Sequence, residues 1–205
     1  MDIALLTTAF LTLFVVIDPI GLAPLFVALT QGVSPKERRN IAIRASLIAI
    51  FLLTAFGLFG EAVLGVAGIS MPAFRIAGGL LLFLTALEML FERRTKRREG
   101  QAEEDDRPDP SVFPLAIPLI AGPGAIATMI LLVGQAESAI EVALIHGVMM
   151  SVVACAAILF FSAGLLEKLL GRTGTNVVTR ILGMLLAALS VQFVFDGLKG
   201  FGFGA

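Results

Sequence analysis

The stretch Ile17-Asp18-Pro19-Ile20-Gly21-Leu22-Ala23-Pro24 places a carboxylate, two prolines and a glycine inside a segment that is otherwise apolar from residue 3 to residue 29. A membrane-spanning helix has no water to satisfy broken backbone hydrogen bonds, and a charged side chain in hydrocarbon is costly. Such a cluster is therefore expected only where it lines a cavity enclosed by protein. We interpret this stretch as the centre of a functional site within a membrane.

The composition of the whole chain agrees with that interpretation. Of its 205 residues, 58% are hydrophobic and only 15% are charged, and the mean hydropathy is +0.97. A soluble domain of this length does not need so much apolar surface, so the chain is predicted to be an integral membrane protein embedded in a lipid bilayer. Nucleic acid is not expected as a partner, because the chain has neither Trp nor Tyr for base stacking and most of its basic residues lie in short segments between the predicted spans.

Six apolar segments are long enough to cross about 30 Å of hydrocarbon, which takes about 20 helical residues. We therefore predict an all-α membrane protein with six transmembrane helices. The predicted spans cover residues 3–29, 41–64, 72–91, 113–133, 139–167 and 177–199.

A single strongly polar stretch divides the chain into two parts of three spans each. It contains a run of basic residues followed by a run of acidic residues, which is typical of a solvated linker. The predicted organisation is a first three-span repeat over 1–91, a charged cytoplasmic linker over 92–112 and a second three-span repeat over 113–205. Before the second span, Ser34 is predicted to cap a helix that begins at Pro35, with Glu37 as the acid of a capping box.

The distribution of Lys and Arg predicts the orientation of the chain. The connections at 30–40, 92–112 and 168–176 hold 11 of the 15 Lys and Arg residues, whereas the opposite side has essentially Lys199. The positive-inside rule then places these three connections in the cytoplasm and both termini outside. The predicted location is the plasma membrane of a bacterial-type cell, which is the inner membrane where two are present.

An internal duplication is indicated at two places. With an offset of 104 residues, Pro19 aligns with Pro123, Ala23 with Ala127 and Gln31 with Gln135; with an offset of 105, Arg75 and Gly78 align with Arg180 and Gly183. Because each half has three spans, the second copy would be inverted in the membrane. Inverted repeats are a recurrent plan of transporters, with substrate bound near the midplane where interrupted helices of the two halves meet.

The two predicted interruptions have related chemistry. Pro19 with Gly21, and Gly122-Pro123-Gly124 in the second half, break helical hydrogen bonding near the middle of the first and fourth spans. The resulting half-helices can hold a carboxylate at their N-terminal N–H groups and a cation at freed carbonyls. This arrangement suits a small zwitterion such as an amino acid. The alternative is a pair of proline-kinked helices that only pack together.

Asp18 is the most informative single residue. An acid at this depth is a candidate for coordinating an ammonium group or for carrying a coupling ion, H⁺ or Na⁺. It can also act as an N-cap of the helix that restarts at Pro19. Thr128 offers a hydroxyl to a substrate or ion, although a Thr that bonds its own helix carbonyl is equally expected.

Several other polar residues could serve as gates or as structural support. Arg75 and Arg180 lie near the start of the third and sixth spans, where they could pair with acids such as Glu61 and Glu167 or extend to the lipid headgroups. Glu88 lies near the end of span three. His146 is interpreted as an interfacial residue rather than a proton relay.

These motifs resemble the MarC family of six-span inner-membrane proteins. The resemblance rests on Ile17-Asp18-Pro19-Ile20-Gly21 with Pro24, on Arg75-Ile76-Ala77-Gly78-Gly79, and on the stretch from Ile117 to Ala125. It implies a plasma-membrane protein with outward termini, and some relatives act as cation-coupled transporters of glycine and alanine. By resemblance, Asp18 to Pro24 and Gly122 to Thr128 would form the substrate-binding breaks.

The leading hypothesis is a secondary transporter, a symporter of small neutral amino acids that works by alternating access, without an enzymatic activity, an organic cofactor or a bound metal. The alternatives are a membrane scaffold or sensor acting through the charged linker, and an intramembrane aspartyl hydrolase that pairs Asp18 with Asp196. The predicted substrate-binding residues are Asp18, Pro19, Ile20, Gly21, Pro24, Gly122, Pro123, Gly124 and Thr128, with Asp18 also the predicted ion-coupling residue. Arg75, Arg180, Glu61 and Glu88 are the predicted gate or support residues.

Overall fold

The computed structural model describes residues 3–93 and 109–203, with side chains described throughout except at residues 3–5, 164–168, 170 and 172. All regular structure in these ranges is helical, as predicted. The seven α-helices are α1 (Ile3–Ile17), α2 (Pro19–Leu29), α3 (Pro35–Val66), α4 (Met71–Leu90), α5 (Pro123–Val133), α6 (Ala139–Phe161) and α7 (Ala163–Gly200). A wide, irregular helical segment, Ser111–Ile120, precedes α5.

The N-termini of three long helices follow directly from the sequence. Ser34 caps α3, with its side-chain oxygen accepting a hydrogen bond from the N–H of Glu37 at 3.3 Å. Ser138 caps α6 in the same way through the N–H of Glu141, at 3.2 Å. Ser70 caps α4. The predicted start of a helix at Pro35 is confirmed, because a serine cap followed by proline satisfies the first turn locally.

Five helical segments of the described chain are long and apolar enough to cross a membrane, and the number is six if the bent pair formed by Ser111–Ile120 and α5 is counted as one span. The bend between these two elements is 56°. Two boundaries differ from the predicted spans. Span five ends at Phe161, and the expected connection over 168–176 is helical, interrupted only at Gly171, whose φ of 58° is one that glycine adopts without steric cost.

The two broken spans form the centre of the bundle. In the first span, 61% of the most apolar 18-residue stretch is buried. The corresponding share is 28% in each of α3, α4, α6 and the second part of α7. In α5, all residues from Ala127 to Leu132 are buried. The unbroken helices therefore present most of their apolar surface outward, as expected of helices that face lipid.

The two halves of the chain interlock. Helix α3 packs against Ser111–Ile120, α5 and α6, while α6 packs against α1, α2 and α3. Helix α4 packs most extensively against α7 and also against α5. Each half thus contributes helices that surround the broken span of the other half, and the interruptions lie inside a jointly formed core.

Glycines allow α4 and α7 to approach closely. A Cβ atom added at Gly79 would lie 2.8 Å from the carbonyl oxygen of Ser190, and one added at Gly183 would lie 3.2 Å from that of Ala86. Small residues at helix contacts in membranes permit backbone approach of this kind. In this antiparallel pair, a glycine of each helix thus lies directly against the backbone of the other helix.

Candidate functional site

The first break lies at Asp18, between α1 and α2. Its backbone is in the left-handed region, with φ 58° and ψ 61°, and its side chain accepts a hydrogen bond from the N–H of Gly21, at 3.1 Å. Only 1% of its surface is exposed. Asp tolerates this conformation better than most residues because its short polar side chain can bond locally. Asp18 is therefore an N-cap of α2, as one of the two interpretations of the sequence expected.

Gly21 is required by the position of this carboxylate. A Cβ atom at residue 21 would lie 2.2 Å from Oδ2 and 2.8 Å from Cγ of Asp18. The absence of a side chain lets the carboxylate fold over the first turn of α2. Pro19 occupies the first helical position, where a missing N–H costs nothing, but it cannot donate to the carbonyl of Val15 as a continuous helix would require.

The second break lies at Ala121 and Gly122. Ala121 has φ −88° and ψ 61°, and its N–H bonds the carbonyl of Ala116, which closes the wide segment. Gly122 then starts α5 in an extended conformation without any side-chain cap. A Cβ atom at Gly122 would lie 2.5 Å from the carbonyl oxygen of Pro118, so only glycine fits this turn.

The two breaks are neighbours in space. A Cβ atom added at Gly124, in the first turn of α5, would lie 3.2 Å from Cγ1 of Val16, which precedes Asp18 by two residues. It would also lie 3.4 Å from Cδ2 of Leu82 and 3.9 Å from the hydroxyl of Thr85. The uncapped start of α5 therefore faces the end of α1 on one side and α4 on the other.

The remaining predicted binding residues have different environments. Thr128 is fully buried, and its hydroxyl donates to the carbonyl of Gly124 at 2.8 Å, the local bond that the sequence also allowed. Ile20 is partly buried, whereas Pro24 and Pro123 are exposed. The structure thus brings Asp18, Gly21, Gly122 and Gly124 into one region and turns the rings of two prolines outward.

Sequence reasoning missed two threonines, one on α1 and one beside the second break. Thr12 is fully buried, and its hydroxyl has no hydrogen-bond partner among the described residues. The sequence feature that could have drawn attention to Thr12 is a hydroxyl in the same apolar segment as Asp18. Thr85 is partly exposed and donates to the carbonyl of Leu81. No local signal marks Thr85, because its position depends on how α4 packs against α5.

The predicted gate residues are only partly brought together. Arg180 forms an ion pair with Glu92 at 2.7 Å and not with Glu61. Glu61 is exposed on a helix that packs against other elements. Nε of Arg75 is buried without a partner in the described part of the chain. Glu88 is partly buried on α4 and lines a groove with Leu84, Leu87, Phe91 and Arg93; the side chain of Glu167 lies outside the described residues.

His146 differs from the interfacial residue that the sequence suggested. Its Nδ1 lies 2.7 Å from the carbonyl oxygen of Val142, and its Nε2 is buried without a partner among the described residues. A Cβ atom at Gly57 would lie 3.0 Å from this Nε2 and 3.1 Å from Cε of Met129. The ring therefore packs inward against α3, where Gly57 leaves space for it.

Asp109 anchors the segment that leads into the second break. Hydrogen bonds from Ser111 lower the pKa of Asp109 below its ordinary value of 3.8, with a further contribution from the nearby Arg44. Asp109 forms an ion pair with Arg44 of α3, and its carboxylate accepts from the N–H of Ser111 at 3.0 Å. The entry to Ser111–Ile120 is thereby tied to α3 outside the apolar core.

The fold and the site define a class: an all-α, multi-pass membrane protein with two interrupted spans at its centre. Residues 3–201 match the family described as MarC family integral membrane protein, and the chain belongs to this family. A UPF0056 membrane protein of Aquifex aeolicus (strain VF5) is 40% identical over 200 residues, covering 95% of this chain and 92% of the relative.

Other relatives match over a similar length. A UPF0056 membrane protein of Archaeoglobus fulgidus is 40% identical over 195 residues, covering 93% of this chain and 90% of the relative. The UPF0056 membrane protein YvbG of Bacillus subtilis (strain 168) is 35% identical over 205 residues, covering 98% and 97%. No solved structure matches the chain.

Proposed function

We propose that this protein is a secondary transporter of small neutral amino acids, such as glycine and alanine, that works by alternating access and is coupled to a cation. The observation that carries the proposal is the pair of neighbouring helix breaks in the core, with Val16 of the first half against Gly124 of the second. Irregular backbone at membrane depth is tolerated where protein encloses it or where it lines a cavity. A bundle with only a structural role does not require two such interruptions side by side.

An inverted repeat accounts for the pairing of these breaks. Helices α2 and α5 each have 11 residues and begin at Pro19 and Pro123, which are 104 positions apart. The serine caps of α3 and α6 have the same spacing, as do Gly79 and Gly183 at the contact of α4 with α7. We infer that the two halves are related by an approximate two-fold axis in the membrane plane.

The chemistry of the two breaks favours a zwitterion. The start of α5 has no side-chain cap, so its N–H groups and positive dipole end suit the carboxylate of an amino acid. Asp18 supplies the negative charge on the neighbouring break and suits the ammonium group or the coupling ion, H⁺ or Na⁺. Gly124 lets the start of α5 pack closely against α1 and α4, because even a methyl group there would lie 3.2 Å from Cγ1 of Val16.

Charged side chains at the two ends of the α4–α7 pair are candidate gates. Arg180 pairs with Glu92 at one end. At the other end, a Cβ atom at Gly197 would lie 2.9 Å from the carbonyl oxygen of Pro72, so α7 packs closely against the first turn of α4, the helix that also carries Arg75. We propose that Arg180–Glu92 closes one side of the transport path and that Arg75 contributes to closure on the other.

We also propose the membrane location and orientation. The basic connections over 30–40, 92–112 and 168–176 favour a cytoplasmic position for these segments in a bacterial-type plasma membrane, with both termini outside. Residues 94–108 of the linker lie outside the described residues.

Two alternatives are less well supported. An aspartyl hydrolase would need two carboxylates in near contact, but Asp196 accepts a hydrogen bond from Gln192 at 2.9 Å and lies 3.8 Å from Nζ of Lys199, while Asp18 caps α2. We therefore do not propose an enzymatic activity. A scaffold or sensor would act through the charged linker rather than through the breaks.

Uptake and exchange of radiolabelled glycine and alanine in proteoliposomes test the proposal. Flux that is driven by an imposed proton or sodium gradient is expected for wild type, and also for a variant that lacks residues 94–108. Absence of flux across a broad panel of amino acids, with correctly folded protein in the vesicles, would contradict transport. A scaffold would instead lose its cellular phenotype when the linker is deleted.

A further inference from the structure

A basic groove lies at the ends of three membrane helices, away from the two breaks. It has a volume of about 550 Å³ and is lined by Val33, Pro35, Arg38, Arg39 and Phe161. These residues belong to the connection after α2, the first turns of α3 and the last residue of α6. Because spans end here, the groove lies at the depth of the lipid headgroups.

Arg38 is held in this groove by one of its donors. Its Nη2 donates to the carbonyl of Thr30 at 3.0 Å, at the C-terminus of α2, where a cation is favourable. Thr30 is itself fully buried, so this end of the guanidinium is fixed. Nε of Arg38 is buried and has no partner in the described part of the chain. Arg38 lines the groove, and its guanidinium has five N–H donors, so donors that Thr30 does not use remain for an anion.

The rest of the groove is both basic and apolar. Arg39 is exposed and adds a second guanidinium, whereas Lys36 of the same turn does not line the groove. Phe161 also lines the groove, and 52% of its surface is exposed. The end of α6 is held in place because the neighbouring Phe160 stacks on Phe26 of α2, with ring centroids 4.6 Å apart.

We propose that this groove binds the phosphate of an anionic phospholipid headgroup, in addition to and independently of the proposed transport. Guanidinium groups present N–H donors in a planar fork that matches phosphate oxygens, and two of them converge here. Val33 and Phe161 contact the apolar part of the same lipid. Basic pockets between membrane helices are suited to this recognition, and a free phosphate ion would use only the arginines.

Lipid binding to the purified full-length protein tests the proposal. Phosphatidylglycerol, phosphatidylcholine or inorganic phosphate is titrated into protein in a neutral detergent, and bound lipid is measured by native mass spectrometry together with the midpoint of thermal unfolding. Wild type is expected to retain phosphatidylglycerol in preference to phosphatidylcholine. Arg39→Gln should weaken its apparent affinity for phosphatidylglycerol about tenfold, and the Arg38→Gln/Arg39→Gln variant should weaken it further.

Lys36→Gln is the matched control, because it removes one positive charge from the same turn of α3 without altering the lining of the groove. It should keep the affinity of wild type within about twofold, as expected for a screened surface charge. Arg39→Gln decides the test if the double variant is unstable, since Arg39 does not hold Thr30. Equal loss in Lys36→Gln and Arg39→Gln, or no loss in either, would overturn the proposal. A full stabilisation by inorganic phosphate alone would overturn the assignment to a lipid.

Discussion

The two helix breaks have the same sequence of elements but different chemical surroundings. Both introduce an 11-residue helix that begins at proline. At the first break, Asp18 adopts a left-handed conformation and caps α2 with its carboxylate. At the second break, Gly122 turns the chain against the carbonyl of Pro118, and α5 begins without a side-chain cap.

This difference separates the roles of charge and space. The first break supplies a carboxylate that is 1% exposed and already engaged with its own helix, whereas the second supplies uncapped N–H groups and a turn into which only glycine fits. A symmetric scaffold can therefore hold an asymmetric ligand such as a zwitterion. Substitutions that add one methyl group or remove one charge at either break test this difference.

The largest effect is expected from Gly122→Ala. The new Cβ atom would lie 2.5 Å from the carbonyl oxygen of Pro118, and backbone cannot move as cheaply as a side chain. The free energy of unfolding should fall by about 3 kcal/mol, the upper end of the range for overpacked sites. Thermal unfolding in detergent measures the change. Gly147→Ala is the control, because a Cβ atom there meets nothing within 4 Å; equal midpoints for the two variants would contradict a tight second break.

Asp18→Ala should be the next most harmful change, and Asp18→Asn should be mild. Alanine loses the cap of α2 and is disfavoured at a φ of 58°, which together cost about 2 kcal/mol. Asparagine keeps a capping oxygen and tolerates the left-handed conformation, so its cost should stay near zero on the same scale. Unfolding midpoints of both variants check the prediction. If asparagine destabilises the protein as much as alanine, the cap is not the structural role of Asp18.

Gly21→Ala should destabilise the protein by about 1 kcal/mol, because its Cβ atom would lie 2.2 Å from Oδ2 of Asp18 and would displace the capping carboxylate. A side chain can move away, so the effect should be smaller than at Gly122. A double-mutant cycle with Asp18→Gly measures the contact, since removal of the carboxylate removes the clash. Strictly additive effects of the two substitutions would show that the carboxylate does not occupy this position.

The smallest effect concerns pH and the entry to the second break. The pKa of Asp109 is lowered by its hydrogen bonds from Ser111 and by Arg44, so its contribution to stability is present above the ordinary value of 3.8 and is lost as the pH falls through the lower folded value. Asp109→Asn should lower the unfolding midpoint slightly at pH 7, and the difference from wild type should shrink as the pH falls below 3.8. Its exposed setting keeps the effect small. A difference that grows on acidification would have the wrong sign.

Much of this architecture was readable from local chemistry. Proline after a capping residue predicted the start of α3, and proline with glycine in an apolar segment predicted both breaks. Sequence could not place Thr85 at the start of α5 or Glu92 beside Arg180, because both contacts depend on how α4 packs against the second half. For the same reason, Glu92 was not among the acids suggested as partners of Arg180, and His146 was not expected to point toward Gly57.

The central claim is that Asp18 couples transport to a cation while the second break supplies only backbone groups and space. Gradient-driven accumulation of radiolabelled alanine in proteoliposomes, compared between wild type and Asp18→Asn, tests it most directly. Our account predicts that Asp18→Asn unfolds at the temperature of wild type and still exchanges substrate, but no longer accumulates it in response to a proton or sodium gradient. Accumulation by Asp18→Asn equal to that of wild type would contradict the account and leave Asp18 as a helix cap alone.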